Sequence, residues 1–277
     1  VSCLALSARH PLVWVVHSDY QLNLLNDDQA DTSFDIWLKV DTGMHRLGFL
    51  PADVSDAQQV VESSSSLNCL GLLTHFANSD QTGGASVDAQ TALFDSCFKR
   101  LMSGAAYQQS LANSGAVMNY PESHRDWIRP GIMLYGGSPS GALVDSRLQA
   151  VMSLESAVIS LRRIGRGESV GYGHTWTAER ESLIATVAGG YGDGYPRHAK
   201  NGTPVLVNGQ RAPLVGRVSM DMITVDVTDL SDVEIGSEAI LWGEDLTANE
   251  IAQFAGTIGY EVLTRMPLRT PRIYKRS

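Results

Sequence analysis

Apolar runs of strand length alternate with helix-like segments through the first half of the chain. The strand-like runs are "HPLVWVVHS", "FDIWLKV", "LNCLGLLTHF", "QQSLANSG" and "WIRPGIMLYG", at 10–18, 34–40, 67–76, 108–115 and 127–136. Strands that are apolar on both faces and separated by helices predict a parallel sheet built from βαβ units. Five strands do not close an eight-stranded barrel. We therefore expect either an open sheet or a barrel whose first units would precede residue 1.

The pattern changes after about residue 148, where strand-like runs follow one another without intervening helices. Asn208-Gly209 is a strong signal for a two-residue hairpin turn. One late helix is predicted to begin at Thr247, with Glu250 as its capping partner. The sequence thus predicts a partial (β/α) TIM-type barrel over 1–148, followed by a mostly antiparallel β domain over 149–277.

The composition restricts the classes of protein to which the chain belongs. Its 277 residues are 43% hydrophobic and 18% charged, enough apolar material for a large core. With 21 basic and 30 acidic residues, it does not suggest a surface for nucleic acid or anionic membrane. No apolar run reaches the roughly 20 residues that span a bilayer. Three scattered cysteines, Cys3, Cys69 and Cys97, favour free thiols in a reducing, cytoplasmic compartment over a disulfide framework or a metal site.

Polar residues follow each predicted strand, and Lys39 is the most unusual of them. In βαβ units the carboxyl ends of the strands gather on one face, where binding sites form. A lysine at the end of an apolar run is costly unless it is paired or chemically changed. From the residues alone, Lys39 is the best candidate in the chain to bind a cofactor as a Schiff base. The alternative is an ordinary lysine paired with Asp41.

Several short motifs occur together in one order: "KVDTGMHRLG", "THFANSDQ", "LANSGAV", "RPGIMLYG", "VGYGHTW", "GYGDGYPR" and "VGRVSMDM". Taken singly, each has a plain structural explanation. In combination, from about residue 10 to the C-terminus, the chain resembles the alanine racemases, which use pyridoxal 5'-phosphate (PLP). The resemblance implies a barrel followed by a β domain, and the interconversion of L-alanine and D-alanine by two-base proton transfer. Such an enzyme supplies D-alanine, a precursor of peptidoglycan.

The resemblance implies a set of cofactor-binding residues. Arg129 would face the pyridine nitrogen and, being always protonated, would leave that nitrogen without a proton. The phosphate would be bound by the amides of Gly131 and Ile132, the hydroxyl of Ser114 and the phenol of Tyr260. Backbone N–H groups beside a glycine suit a phosphate because no side chain blocks its approach.

The catalytic residues that the resemblance implies are Tyr172, as the base for L-alanine, and His75, which would bridge Tyr172 and Arg129. In racemases of this type the tyrosine reaches the site from the partner subunit, so a homodimer with shared active sites is implied. The resemblance gives the same origin to the substrate-contacting positions Tyr191, Arg197, Met220 and Asp221.

The resemblance also changes the interpretation of Lys39. The matching lysine is carbamylated in many racemases, which converts a cation into an anion. That anion would orient Arg46, whose guanidinium would bind the carboxylate of the substrate. Lys39 would then not be the lysine that carries the cofactor.

One motif of the family has no counterpart in these 277 residues. The cofactor lysine of the family sits in an early "KANAYGHG"-like stretch, and nothing here resembles it. We therefore expect the chain as given to be truncated and impaired in racemisation. Two alternatives are a non-catalytic remnant and a PLP-dependent amino-acid decarboxylase of the same architecture. The arginine at 129, where a decarboxylase is expected to use a carboxylate, argues against the latter.

Overall fold

Short parallel strands form the frame of the first half of the molecule, as seen in a computed structural model. The structure describes residues 10–26, 33–101 and 107–275. It comprises two units, Val1–Gly131 and Ile132–Ser277, and each is described by itself.

The described part of the first unit alternates strands and helices. Its strands are β1 (Val13–Val16), β2 (Phe34–Lys39), β3 (Leu67–Leu73), β4 (Gln108–Asn113) and β5 (Trp127–Arg129). Its helices are α1 (Asp19–Asn26), α2 (Val54–Ser63), α3 (Ala85–Leu101) and α4 (Ser114–Asn119), with a 3-10 turn at Pro121–Ser123. The five strands pair in sequence order, and every pair is parallel. All five carboxyl ends therefore lie along one edge of the sheet.

The central strands β2, β3 and β4 are largely buried because they are apolar on both faces, whereas the outer strands β1 and β5 are more exposed. Ile36 and Leu38 of β2, Leu72 of β3 and Leu111 of β4 have no exposed surface. They belong to one hydrophobic cluster that includes Phe94 and Cys97 of α3. This packing fixes the strands and leaves their carboxyl-terminal loops as the adaptable part of the unit.

The second unit is built around a six-stranded antiparallel sheet. Its strands are β6 (Leu154–Ile164), β9 (Ser182–Ala188), β10 (Pro204–Val207), β11 (Gln210–Pro213), β12 (Met222–Asp226) and β13 (Glu238–Trp242). A two-stranded ribbon, β7 (Ser169–Val170) and β8 (Trp176–Thr177), lies between β6 and β9 in the sequence. Two helices follow, α5 (Ala248–Ala255) and α6 (Gly259–Thr264), and 3-10 turns occupy Ile132–Tyr135, Tyr172–His174 and Tyr191–Asp193.

This antiparallel sheet closes on itself. Its strand order is β11-β10-β13-β6-β9-β12, which makes β11 and β12 the two outer strands. Leu214, directly after β11, bridges to Val225 of β12, and the amide of Val215 donates to the carbonyl of Thr224 at 2.9 Å. Closure removes the unpaired strand edges that an open sheet would expose.

The predicted fold class, a parallel α/β part followed by an antiparallel β part, is confirmed. Asn208 and Gly209 have positive φ values of 49° and 74°, as a type I′ turn between β10 and β11 requires. Thr247 caps α5 by accepting the amide of Glu250 at 3.2 Å. The Glu250 carboxylate does not return to the cap but pairs with Arg211 at 2.5 Å.

Some boundaries differ from the sequence prediction. The strand predicted over 127–136 ends at Arg129, because Pro130 has no N–H for the ladder and a 3-10 turn follows. The boundary predicted near 148 stays a prediction, since the segment before it already bonds within the second unit. There the amide of Asn249 donates to the carbonyls of Ser138 and Ala142. The expected thiol of Cys3 lies outside the described residues, whereas Cys69 and Cys97 are free.

Candidate active site

Three cationic side chains and one histidine meet at the carboxyl edge of the parallel sheet. Lys39 is the last residue of β2, Arg129 is the last residue of β5, and His75 lies two residues beyond β3. Arg46 lies on the loop after β2, and its charge acts on both Lys39 and His75. The sequence predicted Lys39, His75 and Arg129 at strand ends along one edge, and the structure places them there; Arg46 was expected only from the resemblance.

Arg129 is held by a set of acceptors on the two neighbouring strands. Its Nη1 donates to Oγ of Ser110 at 2.5 Å. Its Nη2 donates to the carbonyls of Thr74 at 2.5 Å and Leu111 at 3.2 Å. Burial lowers the pKa of Arg129 to about 10, which still leaves the guanidinium protonated at neutral pH. Among the described residues, none accepts a hydrogen bond from its Nε or from the second proton of Nη1, so two N–H donors of a fixed cation remain for other groups.

His75 lies beside this guanidinium. Nη2 of Arg129 approaches Nδ1 of His75 at 3.5 Å. Burial, followed by the positive charges of Arg129, Arg46 and Lys39, lowers the pKa of His75 to about 4. The imidazole is therefore neutral at pH 7, and Nδ1 is free to accept from the arginine while the ring proton is on Nε2.

Lys39 is in a net positive environment. Burial and the charges of Arg46 and Arg129 lower its pKa, and the opposing effect of Asp41 is smaller. The alternative pairing of Lys39 with Asp41 is wrong, because the carboxylate of Asp41 accepts hydrogen bonds from backbone amides of its own loop. Oδ1 of Asp41 accepts the amides of Gly43 and His45, each at 3.0 Å. Burial alone would raise the pKa of Asp41, but these two amides hold it below its ordinary value.

The loop that carries Arg46 is closed at its base. The amide of Phe49 donates to the carbonyl of Lys39 at 2.8 Å, and the amide of Asp41 donates to the carbonyl of Phe49 at 2.9 Å. Gly48 makes this closure possible, since its φ is +134° and a Cβ there would lie 2.6 Å from the amide nitrogen of Asp41. The loop therefore keeps Arg46 next to the end of β2.

The predicted phosphate-binding residues of the first unit lie together after β4 and β5. The amide of Gly131 donates to Oγ of Ser114 at 2.7 Å. Asn113 caps α4 by accepting the amide of Ala116 at 3.1 Å. A Cβ at Gly131 would meet only Oγ of Ser114, at 3.7 Å, so no other group crowds this glycine.

The remaining predicted residues belong to the second unit, which also begins with Ile132. Tyr172 starts the 3-10 turn between β7 and β8, and 73% of its surface is exposed. The guanidinium of Arg197 lies over the ring of Tyr191, 6.0 Å from its centre. Tyr260 lies in the first turn of α6. Met220 and Asp221, both exposed, precede β12.

The sequence interpretation missed several residues that position these groups. Ser110 and the carbonyl of Thr74 bind Arg129, and neither carries a sequence signal beyond its place in a strand. Arg269, near the C-terminus, joins two acidic residues of the second unit. Its Nη2 donates to Asp221 at 2.6 Å and its Nε to Asp193 at 2.9 Å. Only the acidic residues stood in a recognised motif, "GYGDGYPR" or "VGRVSMDM".

The described residues contain neither a membrane-spanning helix nor a metal-binding cluster. In the ranges that the structure describes, no helix combines the length and apolar character needed to cross a bilayer. Across the same ranges, no three histidine, cysteine or acidic side chains cluster in a way that would hold a metal ion.

Comparison with known proteins accounts for both units. A family model described as "Alanine racemase, N-terminal domain" matches residues 2–139, and one described as "Alanine racemase, C-terminal domain" matches 151–274. An alanine racemase of Chromohalobacter salexigens is 47% identical over 99% of this chain and 75% of its own length. A catabolic alanine racemase of Pseudomonas putida is 43% identical over 98% of this chain and 75% of its own.

Solved structures agree. The biosynthetic alanine racemase of Pseudomonas aeruginosa superimposes with a TM-score of 0.92 at 44% identity, covering 99% of this chain and 76% of that one. That of Acinetobacter baumannii gives a TM-score of 0.84 at 37% identity, covering 92% and 71%. The chain spans about three quarters of the length of these relatives. It belongs to the alanine racemase family.

Proposed function

We propose that this protein interconverts L-alanine and D-alanine with PLP as its cofactor, and that it acts in the cytoplasm. The observation that carries the proposal is the buried, protonated Arg129, which has four neighbours on its Nη atoms and a free donor at Nε. Racemisation requires only the removal of the α-proton and its return to the other face of the carbon. Family membership supports this reaction over decarboxylation.

The residues present fit the cofactor. The free Nε–H of Arg129 suits the lone pair of a pyridine nitrogen. The amide of Gly131 would exchange its bond to Ser114 for one to a phosphate oxygen, at a glycine that no other group crowds. We assign the phosphate to Ser114, Gly131, Ile132 and Tyr260. When bound, PLP would withdraw electrons from the amino acid and acidify its α C–H bond.

Arg129 would control which reaction follows. Its pKa of about 10 keeps it cationic, so it would donate to the pyridine nitrogen and would offer that atom no acidic proton. An unprotonated ring withdraws electrons less strongly than a protonated one. The arginine therefore favours return of the α-proton over side reactions such as transamination.

Tyr172 would act as the base for L-alanine. Its exposed position in a turn of the second unit suits a residue that serves the site of a partner subunit. Met220 and Asp221 are exposed in the same unit and, with Tyr191 and Arg197, would contact the substrate. We propose a homodimer on this basis. His75, neutral and next to Arg129, would link the tyrosine to the charge of the arginine.

Lys39 would act as a carbamate. Only a neutral amine attacks carbon dioxide, and the lowered pKa of Lys39 raises the neutral fraction. The N–C bond forms as the amine loses one proton to solvent, and the product carries a negative charge. That charge would lie between Arg46 and Arg129 and would orient Arg46 toward the carboxylate of the substrate.

The direct test is a chiral assay of alanine on the complete gene product supplied with PLP. We expect L-alanine and D-alanine to reach equal amounts from either side. Release of ethylamine and carbon dioxide would instead identify a decarboxylase. An unchanged enantiomer in protein that binds PLP would identify a non-catalytic protein and refute the proposed function.

A further inference from the structure

A single buried glutamine on α3 connects the loops after β2 and β3. Gln90 is only 3% exposed, and its side-chain amide makes three hydrogen bonds. Its Oε1 accepts the amide of Ala77 at 3.0 Å. Its Nε2 donates to the carbonyl of His75 at 3.2 Å and to Oγ1 of Thr42 at 3.2 Å.

The hydrogen bonds beyond Gln90 have one direction only. Oγ1 of Thr74 has a single proton, which it gives to the carbonyl of Val40 at 2.9 Å. In the contact of 2.8 Å between Thr42 and Thr74, the donor must therefore be Thr42. Thr42 has then used its own proton and can only accept from Gln90. The chain runs from Gln90 through Thr42 and Thr74 to the backbone directly after Lys39.

The same network reaches Arg129. The carbonyl of Thr74, one residue before His75, accepts Nη2 of the arginine at 2.5 Å. Gln90 thus binds the backbone on the carboxyl-terminal side of His75, while Arg129 binds it on the amino-terminal side. Gly43, between Thr42 and the rest of the loop, has a φ of +137°, a conformation that favours glycine.

We propose that Gln90 is a positioning residue for the active site, which holds His75 and the end of β2 in place against Arg129. It touches none of the reacting groups. Its three bonds are all satisfied, and no other rotation of the amide satisfies them, because a flip would set Oε1 against the carbonyl of His75. The effect of Gln90 on racemisation rests on the proposed function. Its role in positioning His75 does not.

The first measurement is an NMR titration of the His75 ring in cofactor-free protein, assigned by its loss in His75→Gln. The ring faces Arg129 of β5, Arg46 of the loop after β2 and Lys39 of β2. In Gln90→Met the backbone around His75 is released, so the ring should move away from these charges. We expect its pKa to rise from about 4 toward the ordinary value, by about one unit or more.

Gln58 offers a matched control. It is a buried glutamine on α2, 4% exposed, and its Nε2 donates only to Glu62 of the same helix, at 3.0 Å. Gln58→Met should leave the His75 titration and the racemase activity unchanged. Thr42→Val, which removes one hydroxyl at constant shape, should reproduce part of the Gln90→Met shift, and Thr42→Ser should restore the parent value. These threonine variants test the network even if Gln90→Met does not fold.

Racemase kinetics supply the second measurement. We expect kcat of Gln90→Met to fall about tenfold, with a smaller change in KM, because the substrate-binding groups are retained. A His75 titration that stays at the parent value in folded Gln90→Met or Thr42→Val would overturn the proposal, whatever happens to kcat. If the titration shifts but no variant, nor the parent, racemises alanine, the positioning role stands and the proposed function fails.

Discussion

Nη2 of Arg129 lies 3.5 Å from Nδ1 of His75, and burial together with the charge of this guanidinium keeps the imidazole neutral by lowering its pKa. A histidine next to a buried cation cannot take up a proton at neutral pH without adding a second positive charge. The pair therefore behaves as a fixed donor and a fixed acceptor. That property makes it a suitable link between a cofactor and a distant base.

Replacing Arg129 should change the type of reaction. In Arg129→Glu a carboxylate would favour a protonated pyridine nitrogen and a stronger electron sink. We expect racemisation to fall by at least about a hundredfold, while pyruvate and pyridoxamine phosphate become detectable from alanine and PLP. The products can be followed by chromatography.

Arg125→Gln is the control for this change. Arg125 lies just before β5 and pairs with Asp95 at 2.9 Å on the surface, so its loss should leave racemisation at the parent rate. If Arg129→Glu racemises like the parent and forms no pyruvate, Arg129 is not at the ring nitrogen.

Tyr172→Phe should affect the two enantiomers differently. The change removes the base for L-alanine but leaves the second base of the complete enzyme, the cofactor lysine that acts on D-alanine. Exchange of the α-proton with solvent should therefore persist better from the D side. Net racemisation should fall in both directions. Exchange can be measured by proton NMR in deuterated water.

Tyr20→Phe is a suitable control, since Tyr20 is 75% exposed on α1 and has no assigned role. Equal retention of exchange from both enantiomers in Tyr172→Phe would remove the tyrosine from its proposed role.

His75 should make stability depend on pH in mildly acidic solution. Its pKa is about 4 in the folded protein and about 6.5 for an ordinary histidine, so the unfolded chain binds more protons between these values. The contribution of neutral His75 to the free energy of unfolding is therefore complete above pH 6.5 and is lost as the pH falls toward 4. After allowance for solvent screening of a half-buried group, we expect about 1 kcal/mol.

Urea unfolding at pH 7 and pH 4.5 tests this dependence. The loss of stability between the two should be smaller in His75→Gln than in the parent, whereas replacement of the exposed His10 should not alter it. The same loss in the parent and in His75→Gln would show that the histidine is not shifted.

Lys39 should carry one molecule of carbon dioxide. With labelled bicarbonate, carbon NMR should show a carbamate signal in the parent that is absent from Lys39→Arg and present in Lys99→Arg. Lys99 is the comparison because it lies in the last turn of α3, outside the site. Borohydride reduction with PLP followed by peptide mapping tests the alternative. A pyridoxyl group on Lys39 would show that it carries the cofactor instead.

Arg269 should matter for the substrate more than for the fold. Its bonds to Asp193 and Asp221 are exposed, so Arg269→Gln should leave unfolding almost unchanged. Loss of the bridge frees Asp221, and we expect KM for alanine to rise by up to about fivefold. Arg180→Gln, which breaks the exposed pair with Asp229, should leave KM at the parent value. Equal values for both variants would show that the bridge has no part in substrate binding.

The fold could be predicted from local patterns in the sequence. The hydrogen bonds that hold the site residues in position could not. Runs such as "FDIWLKV" are apolar on both faces, and Asn208-Gly209 specifies its own turn, so the parallel and antiparallel parts were accessible from the sequence. By contrast, the bonds of Gln90 to Thr42 and of Arg129 to Ser110 join positions far apart in the sequence. No periodicity encodes such contacts. The closure of the second sheet at Leu214 and Val225 is of the same kind.

The site residues that the sequence did identify owe their detection to the position of strand ends and to family motifs. Lys39, His75 and Arg129 each lie at or just beyond the carboxyl end of a parallel strand, and parallel topology brings such ends together. The pairing of Lys39 with Asp41 was a wrong alternative, because the carboxylate of Asp41 accepts hydrogen bonds from the amides of Gly43 and His45. Sequence proximity gave no sign of that competition.

The fate of the α-proton of alanine tests the central claim most directly. The complete gene product is incubated with L-alanine and PLP in deuterated water, and both enantiomers are analysed for deuterium by chiral chromatography and mass spectrometry. The account predicts equal amounts of L-alanine and D-alanine with deuterium at Cα, and a loss of this outcome in Arg129→Glu but not in Arg125→Gln. L-Alanine recovered without D-alanine, from protein shown to bind PLP, would contradict it.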